Sequence, residues 1–343
     1  MNFSKLTLEN ISQIGNLLMS VYSLSENFGT IGCPVFSEDY LHWIFGGPNK
    51  DKHILVGAMM NDELVAYQSF LYRTIYYCGE YLNAYLNTHG VISPQLDYRL
   101  KLNCGFQLVR QHALFLEESE FYEPNCDLVY AFYDVSSPTK EVLDKLVKKY
   151  FKRERNIHSI FHSFIVMPNR LRMYIKENKG KIESFQIRTA SENDLGQITI
   201  LFNRITPKIH FSMIMTEDEL KNHLFGHPAH CTFVVESQGV IKGFINFYPL
   251  KMLKEGKTFV YIIIEFLISE SDNKDYIAVL LQETVNYAED IGAKVITIEN
   301  ATYLDYNTCR ILGIVPTLRK MAMTIFSKKL FEYCNGSFRC DVK

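Results

Sequence analysis

One run of the chain joins residue types that hold anions to residue types that move protons. Asn87-Thr88-His89-Gly90-Val91-Ile92-Ser93-Pro94 reads as the end of a strand. Tyr98-Arg99-Leu100-Lys101-Leu102-Asn103-Cys104-Gly105-Phe106 then reads as a loop entering an amphipathic helix from about Gly105 to Glu118. A helix N-terminus carries roughly half a unit of positive charge and several unpaired N–H groups, which suits a pyrophosphate. Arg99 and Lys101 add cations beside it, and Gly105 lets a phosphate approach the backbone. His89 is the candidate base of the run, since an imidazole is the side-chain type suited to relaying protons near neutral pH, although a hydrogen-bonded strand histidine has the same signature.

Other chemistry is poorly supplied. His223, His227 and His230 have partial metal-ligand spacing, but no Glu follows His223 and Pro228 interrupts the helix, so no metal is expected. No Gly-x-Ser-x-Gly elbow or Cys-His signature suggests a hydrolase. The eight cysteines include no C-x-x-C pair and read as reduced core thiols.

The elements around the run occur twice. Ile11, Ile14, Leu17, Leu18 and Val21 fall on one helical face behind a cap of Thr7 and Asn10. Leu195, Ile198, Leu201, Phe202 and Ile205 repeat that spacing behind Ser191 and Asp194. Ser37-Glu38-Asp39 and Thr216-Glu217-Asp218 each open a second helix with acids on its positive end. Strand pairs follow: Ile54 to Met59 with Glu63 to Leu71, and Phe233 to Glu236 with Val240 to Tyr248. Tyr81 to Val91 is matched by Thr258 to Ile268, an offset of 177. Long helices near Gly105 to Glu118 and Tyr276 to Ile291 lead to strands Leu128 to Tyr133 and Val295 to Glu299. This is the pattern of a duplicated domain, with residues 1–175 and 184–343 as the copies. Residues 176–183 join them as a linker whose lysines are expected only to solvate it.

Composition sets outer limits. With 343 residues, 47% of them hydrophobic, the chain has enough for two cores. Its 36 basic and 38 acidic residues give a net charge of -2, so no global field holds nucleic acid or an acidic membrane. The most apolar run, Phe259 to Ile268, is about half of the ~20 residues that span a bilayer, and it contains Glu265. With no signal-peptide core at the start and Asn2 in place of a myristoylated glycine, a cytoplasmic location is expected. Oligomeric state is not legible.

The element order and these residues resemble the GNAT superfamily of acyl-CoA N-acyltransferases, over nearly the whole chain as two tandem copies. Ile92-Ser93-Pro94 is similar to the family's Val-x-Pro at the end of a bulged fourth strand. The segment from Arg99 is similar to its Arg/Gln-x-x-Gly-x-Gly/Ala pyrophosphate loop, with Arg99 six rather than three residues before Gly105 and Gln107 in place of the second small residue. Ala131-Phe132-Tyr133-Asp134-Val135-Ser136-Ser137 resembles the fifth strand and its loop, and Leu312-Gly313-Ile314 the late Leu-Gly-Phe. Met215 to Leu220, Phe233 to Ser237 and Phe244 to Tyr248 also resemble the C-terminal half of N-myristoyltransferases.

The resemblance implies an α/β (α+β) chain of two tandem GNAT-like domains, each a mixed, mostly antiparallel central sheet flanked by helices. It implies acyl transfer from coenzyme A, acetyl-CoA foremost and without a metal, to a primary amine of a small molecule or peptide, which attacks the thioester directly. The alternatives are a longer-chain transferase and a catalytically degenerate binding module. The second copy's Ser269-Glu270-Ser271-Asp272-Asn273-Lys274-Asp275 has no glycine and three acids against one lysine, which would repel a pyrophosphate, so the first copy is expected to bind the donor. Backbone N–H groups between Thr88 and Val91 would polarise the thioester, with Gly90 permitting the bulge. His89 would act as base through water, and Tyr133 or the more distant Tyr150 as acid. Gly90, Val91, Ser93, Arg99, Lys101, Asn103, Cys104, Gly105 and Phe106 would contact the donor. Trp43 reads as helix core, in a region the family often uses to wall the acceptor site.

Overall fold

Caps start the helices where the sequence places them. Thr7 with Asn10 and Ser191 with Asp194 each form a reciprocal capping box on a short 3-10 turn that runs directly into a helix. Ser37 and Thr216 accept from the N–H groups of Tyr40 and Glu219. The computed structural model describes residues 1–24, 32–77, 79–118, 126–134, 145, 149, 154–227, 229–270, 273–299, 301, 303–327 and 338–339.

The first run of elements is β1 (Asn2–Lys5), α1 (Ile11–Tyr22), β2 (Cys33–Pro34), α2 (Glu38–Phe45), β3 (Ile54–Met60), β4 (Glu63–Tyr77), β5 (Glu80–Ile92), α3 (Tyr98–Glu118), β6 (Leu128–Asp134) and β7 (Glu154–Val166). Two short helices follow, α4 (Pro168–Glu177) and α5 (Lys179–Ile182). The second run is β8 (Gln186–Thr189), α6 (Leu195–Arg204), β9 (Phe211–Ile214), α7 (Glu217–Phe225), β10 (Cys231–Ser237), β11 (Val240–Lys254), β12 (Lys257–Ser269), α8 (Lys274–Asp290), β13 (Val295–Ile298), α9 (Tyr306–Leu312), β14 (Ile314–Ser327) and β15 (Phe338–Arg339).

The described strands form one mixed, mostly antiparallel sheet in the order β1-β3-β4-β5-β6-β14-β7-β13-β12-β11-β10-β8. Read inward from either edge, the order is the same. β7 and β14 each cross to the other run, so β14 pairs with β6, β7 pairs with β13, and β7 and β14 pair along the seam. The parallel contacts β5·β6 and β12·β13 occupy matching places.

Helices cover both faces. On one face α1, α2, α6 and α7 share a single core, in which Ile14, Leu18 and Phe45 join Ile198, Phe202 and Leu220 across the two runs. On the other face the cores are separate: α3 packs Leu108 and Val109 on Phe70 and Tyr85, while α8 packs Ile277 and Leu281 on Phe247 and Ile264. Burying each such side chain stabilises by about 1.5–3 kcal/mol, so the shared face ties the runs together strongly. The five described cysteines Cys33, Cys104, Cys126, Cys231 and Cys309 are free thiols.

Two expectations need correction. The helix placed at Gly105 begins at Tyr98, because Asp97 caps it by accepting from the Leu100 N–H at 2.9 Å. The polar stretch from Lys176 to Lys181 is helical on both sides of Asn178, and Lys181 does more than solvate a linker: it forms an ion pair with the buried carboxylate of Asp275.

Candidate active site

The site begins where two parallel strands separate. β5 and β6 stay in register from Ala84 opposite Leu128 to Asn87 opposite Ala131, and then part. Beyond that point β5 carries Thr88, His89 and Gly90, and β6 carries Phe132 and Tyr133. β5 also bulges here: Ser69 faces Thr88 and Tyr67 faces Val91, leaving His89 and Gly90 together opposite Gln68. The left-handed residue of the bulge is His89, at φ 53°, and not Gly90. Histidine tolerates that conformation better than most side chains. A Cβ on Gly90 would approach nothing nearer than Gln68 at 3.7 Å, so the bulge does not require glycine there.

The gap opens into a cavity of about 390 Å³ that reaches the second run. Tyr22, Phe36 and Tyr40 line its α-helical side, and Tyr248, Ile263 and Glu299 its far wall, with Arg319 at an exposed position. Gln68 donates to Asn87 at 2.8 Å, and the Ser69 hydroxyl donates to the Thr88 carbonyl at 2.9 Å, so polar side chains hold the bulged strand from behind. The His89 ring stands edge-on to Phe36 and Phe45, with centroids 6.0 and 6.1 Å away.

Thr88, His89, Gly90 and Tyr133 therefore share one cavity. Tyr150 lies outside the described residues. Val91 and Ser93 are buried at the strand end, with Ser93 N–H donating to the Val65 carbonyl.

The expected phosphate loop is organised differently. Arg99, Lys101, Asn103, Cys104, Gly105 and Phe106 all lie within α3, where backbone N–H groups past the first turn serve the helix itself. Counted from Arg99, the small positions of Arg-x-x-Gly-x-Gly/Ala fall on Leu102, which is exposed, and Cys104, which is fully buried. Gly105 lies well inside the helix, and a Cβ there would meet only Ile92 Cδ1 at an ordinary 3.8 Å. Lys101 Nζ donates to the Pro94 carbonyl at 2.9 Å, staying next to the helix start. What fits coenzyme A here is the open gap with its bulge; the first turn of α3, Arg99 and Lys101 are what the chain offers its phosphates.

Sequence reading missed Glu299. It follows the last residue of β13 and occupies the place that Phe132 has in the first run, because Ala84 pairs with Leu128 as Tyr261 pairs with Val295. Burial raises its carboxyl above the usual range, opposed by the Arg319 charge and a hydrogen bond from Thr297. The available signal was an acid closing an otherwise apolar strand. Burial, together with Tyr40, Glu265 and Glu299, pushes the Tyr248 phenol well above 10.

The second gap has its strand edge engaged by a side chain. β12 and β13 part after Ile264 and Ile298, but the Leu267 N–H donates to the Tyr303 hydroxyl at 3.2 Å, and by the 177 offset Leu267 matches Gly90. At the start of α8, Asp275 is 2% exposed and holds Tyr174 and Lys181. The histidines with partial metal spacing surround Trp43 instead: the centroids of His223, His227 and His230 lie 6.2, 5.9 and 4.3 Å from the indole. Trp43 is core, as expected, and its Nε1–H reaches the Asn222 carbonyl on α7 at 3.0 Å.

Solved structures share this fold. N-myristoyltransferase of Saccharomyces cerevisiae with bound myristoyl-CoA superposes with a TM-score of 0.70 at 14% identity, over 98% of this chain and 83% of that one. A GCN5-related N-acetyltransferase from Kribbella flavida gives 0.57 at 13% identity, over 95% and 71%. A probable N-acyltransferase from Enterococcus faecalis gives 0.52 at 10%, over 94% and 72%. The chain has the GNAT fold. No protein-family model and no curated protein matches its sequence.

Proposed function

We propose that this GNAT-fold chain is an acyl-CoA-dependent N-acyltransferase, with acetyl-CoA as the leading donor and a primary amine on a small molecule or peptide as acceptor. The observation that carries the reading is the open β5–β6 gap: it joins a bulged strand edge to a cavity containing an imidazole, a phenol and a carboxylate. Acyl-coenzyme A bound there would supply an activated thioester carbonyl. Backbone N–H groups of the Thr88–Val91 bulge point to polarisation of that carbonyl. Glu299 offers the charge that holds an incoming ammonium, His89 the base that takes its proton, and Tyr133 the donor for the departing sulfur. Gly90, Val91 and Ser93 would flank the donor's arm, with Arg99 and Lys101 nearest its phosphates. Asn103, Cys104, Gly105 and Phe106, being deeper in α3, are its more remote contacts.

The mirrored strand order supports reading residues 1–175 and 184–343 as duplicated domains joined by 176–183. The free thiols and the absence, among the described residues, of a helix long and apolar enough to cross a membrane accord with a cytoplasmic enzyme.

Calorimetry with acetyl-CoA and myristoyl-CoA, followed by thiol-release assays over an amine panel, tests the reading. Binding of either donor with turnover is the expected result, and the tighter donor sets the chain length. No binding of either at millimolar concentration overturns it. Leu102 and Cys104 at the small positions favour a second reading, a binding module, which donor binding without any turnover would support.

A further inference from the structure

The second run bulges too. Phe247 faces Ile264 and Asn246 faces Phe266, so Glu265 is the extra residue of β12. The slip reverses the alternation: Ile263 and Phe266 both belong to the core under α6 and α7, and Glu265 between them meets His223 of α7. Glu265 Oε1 and His223 Nδ1 are 3.0 Å apart, with side-chain exposures of 4% and 10%. Tyr248 is the cross-strand partner of Ile263, and both line the reaction cavity, so Glu265 stands one step along the same face. His223 also lines a separate cleft with Trp43, Asn222 and Glu219.

We propose that the Glu265–His223 pair, reached through Tyr248, is the route by which the reaction cavity discharges its proton. This rests on the acyltransferase reading above. Transfer to an ammonium forms an N–C bond and breaks a C–S bond. Of the two protons the nitrogen loses, one ends on the thiolate sulfur and the other must leave before the next turnover. As Tyr248 receives that proton on its oxygen it passes its own to the Glu265 carboxylate, and His223 carries the charge to the cleft. Tyr248 stays a phenol throughout, as its strongly raised titration suits. The titratable and charged groups around the route are Tyr40 and Glu299 on the cavity side, His230 packed directly on the Tyr248 ring with centroids 5.2 Å apart, His227 across Trp43, and Arg73, Glu219 and His53 around the cleft. Glu265 and His223 are positioning residues that act through Tyr248.

The test is kcat against pH for the full chain, with acetyl-CoA or whichever donor binds, comparing wild type with His223→Ala and Tyr248→Phe in dilute non-nucleophilic buffer. The expected result is a kcat lowered by about tenfold or more with the donor KM within twofold, a displaced pH profile, and recovery of His223→Ala by added imidazole. Profiles that superimpose on wild type, with no imidazole rescue, overturn the route even if melting temperatures fall. Tyr248→Phe keeps the ring's shape and reads the same route should His223→Ala not fold. Wild type that binds donor but transfers to no amine sinks the acyltransferase reading instead, and the route with it.

Discussion

The two parallel-strand gaps were built to the same plan and finished differently. In the first, the strands part after Asn87 and Ala131 and leave a cavity of about 390 Å³ beside a bulge. In the second, they part after Ile264 and Ile298, and the equivalent of Gly90 already gives its N–H to Tyr303. The helix that begins beside each gap follows suit. α3 presents an exposed Asp97 cap with Arg99 and Lys101, whereas α8 draws the buried Asp275 into contact with Tyr174 and Lys181. An anion approaching α8 would have to displace a carboxylate already held there. The two runs thus differ in one respect: the first gap opens into a cavity, while at the second a polar backbone group and the helix start are satisfied internally.

The asymmetry can be broken from the open side first. Gly90→Trp fits the backbone, because Gly90 is outside the left-handed region, yet it fills the gap's edge. We expect acetyl-CoA affinity to fall about 100-fold, or ~2.7 kcal/mol, in calorimetry while the melting temperature barely moves. Unchanged affinity would place the donor elsewhere. Titration of wild type should saturate at one acetyl-CoA per chain, since among the described residues the first gap opens into the cavity and the Leu267 N–H at the second is held by Tyr303; two equivalents would end the comparison.

Asp275→Asn should destabilise by about 2 kcal/mol in denaturant unfolding, by weakening the contacts with Lys181 and Tyr174. Burial pushes the Asp275 carboxyl up, but the hydrogen bonds from Lys181 and Tyr174 and the nearby lysine charges outweigh it, holding the carboxyl below its usual range. A depressed carboxylate stabilises fully above its unfolded value, near 4, and loses that contribution as pH falls through the folded value. The gap between wild type and Asp275→Asn should therefore narrow below about pH 4. Tyr303→Phe should cost about 1 kcal/mol, for the partner lost to the Leu267 N–H, and leave donor stoichiometry at one.

Much of the scaffold was legible because local rules agree with it. Thr7 and Ser191 cap where their patterns begin, and the strands from Tyr81 and Thr258 extend only a residue or two beyond their apolar alternation. The start of α3 was misplaced because Asp97 is a sufficient cap, and the chain between Tyr98 and Gly105 has no residue that stops a helix. Of the site, His89, Thr88 and Tyr133 could be named from one strand and the next, and they meet at one cavity. Glu299 and Tyr248 could not, because their relevance depends on the second run closing over the first.

The sequence by itself determined the repeated order of elements, the caps, and the difference in charge between the segments before the two long helices, since each follows from neighbours along the chain. Tertiary structure decided the exchange of β7 and β14, the hydrogen bond of Tyr303 to the strand edge at the second gap, and the meeting of Glu299 with His89 in one cavity. Those depend on contacts between residues far apart in the chain, from 36 positions for Leu267 and Tyr303 to 210 for His89 and Glu299, whose free energy is set by what packs and pairs in three dimensions and leaves no mark in local spacing.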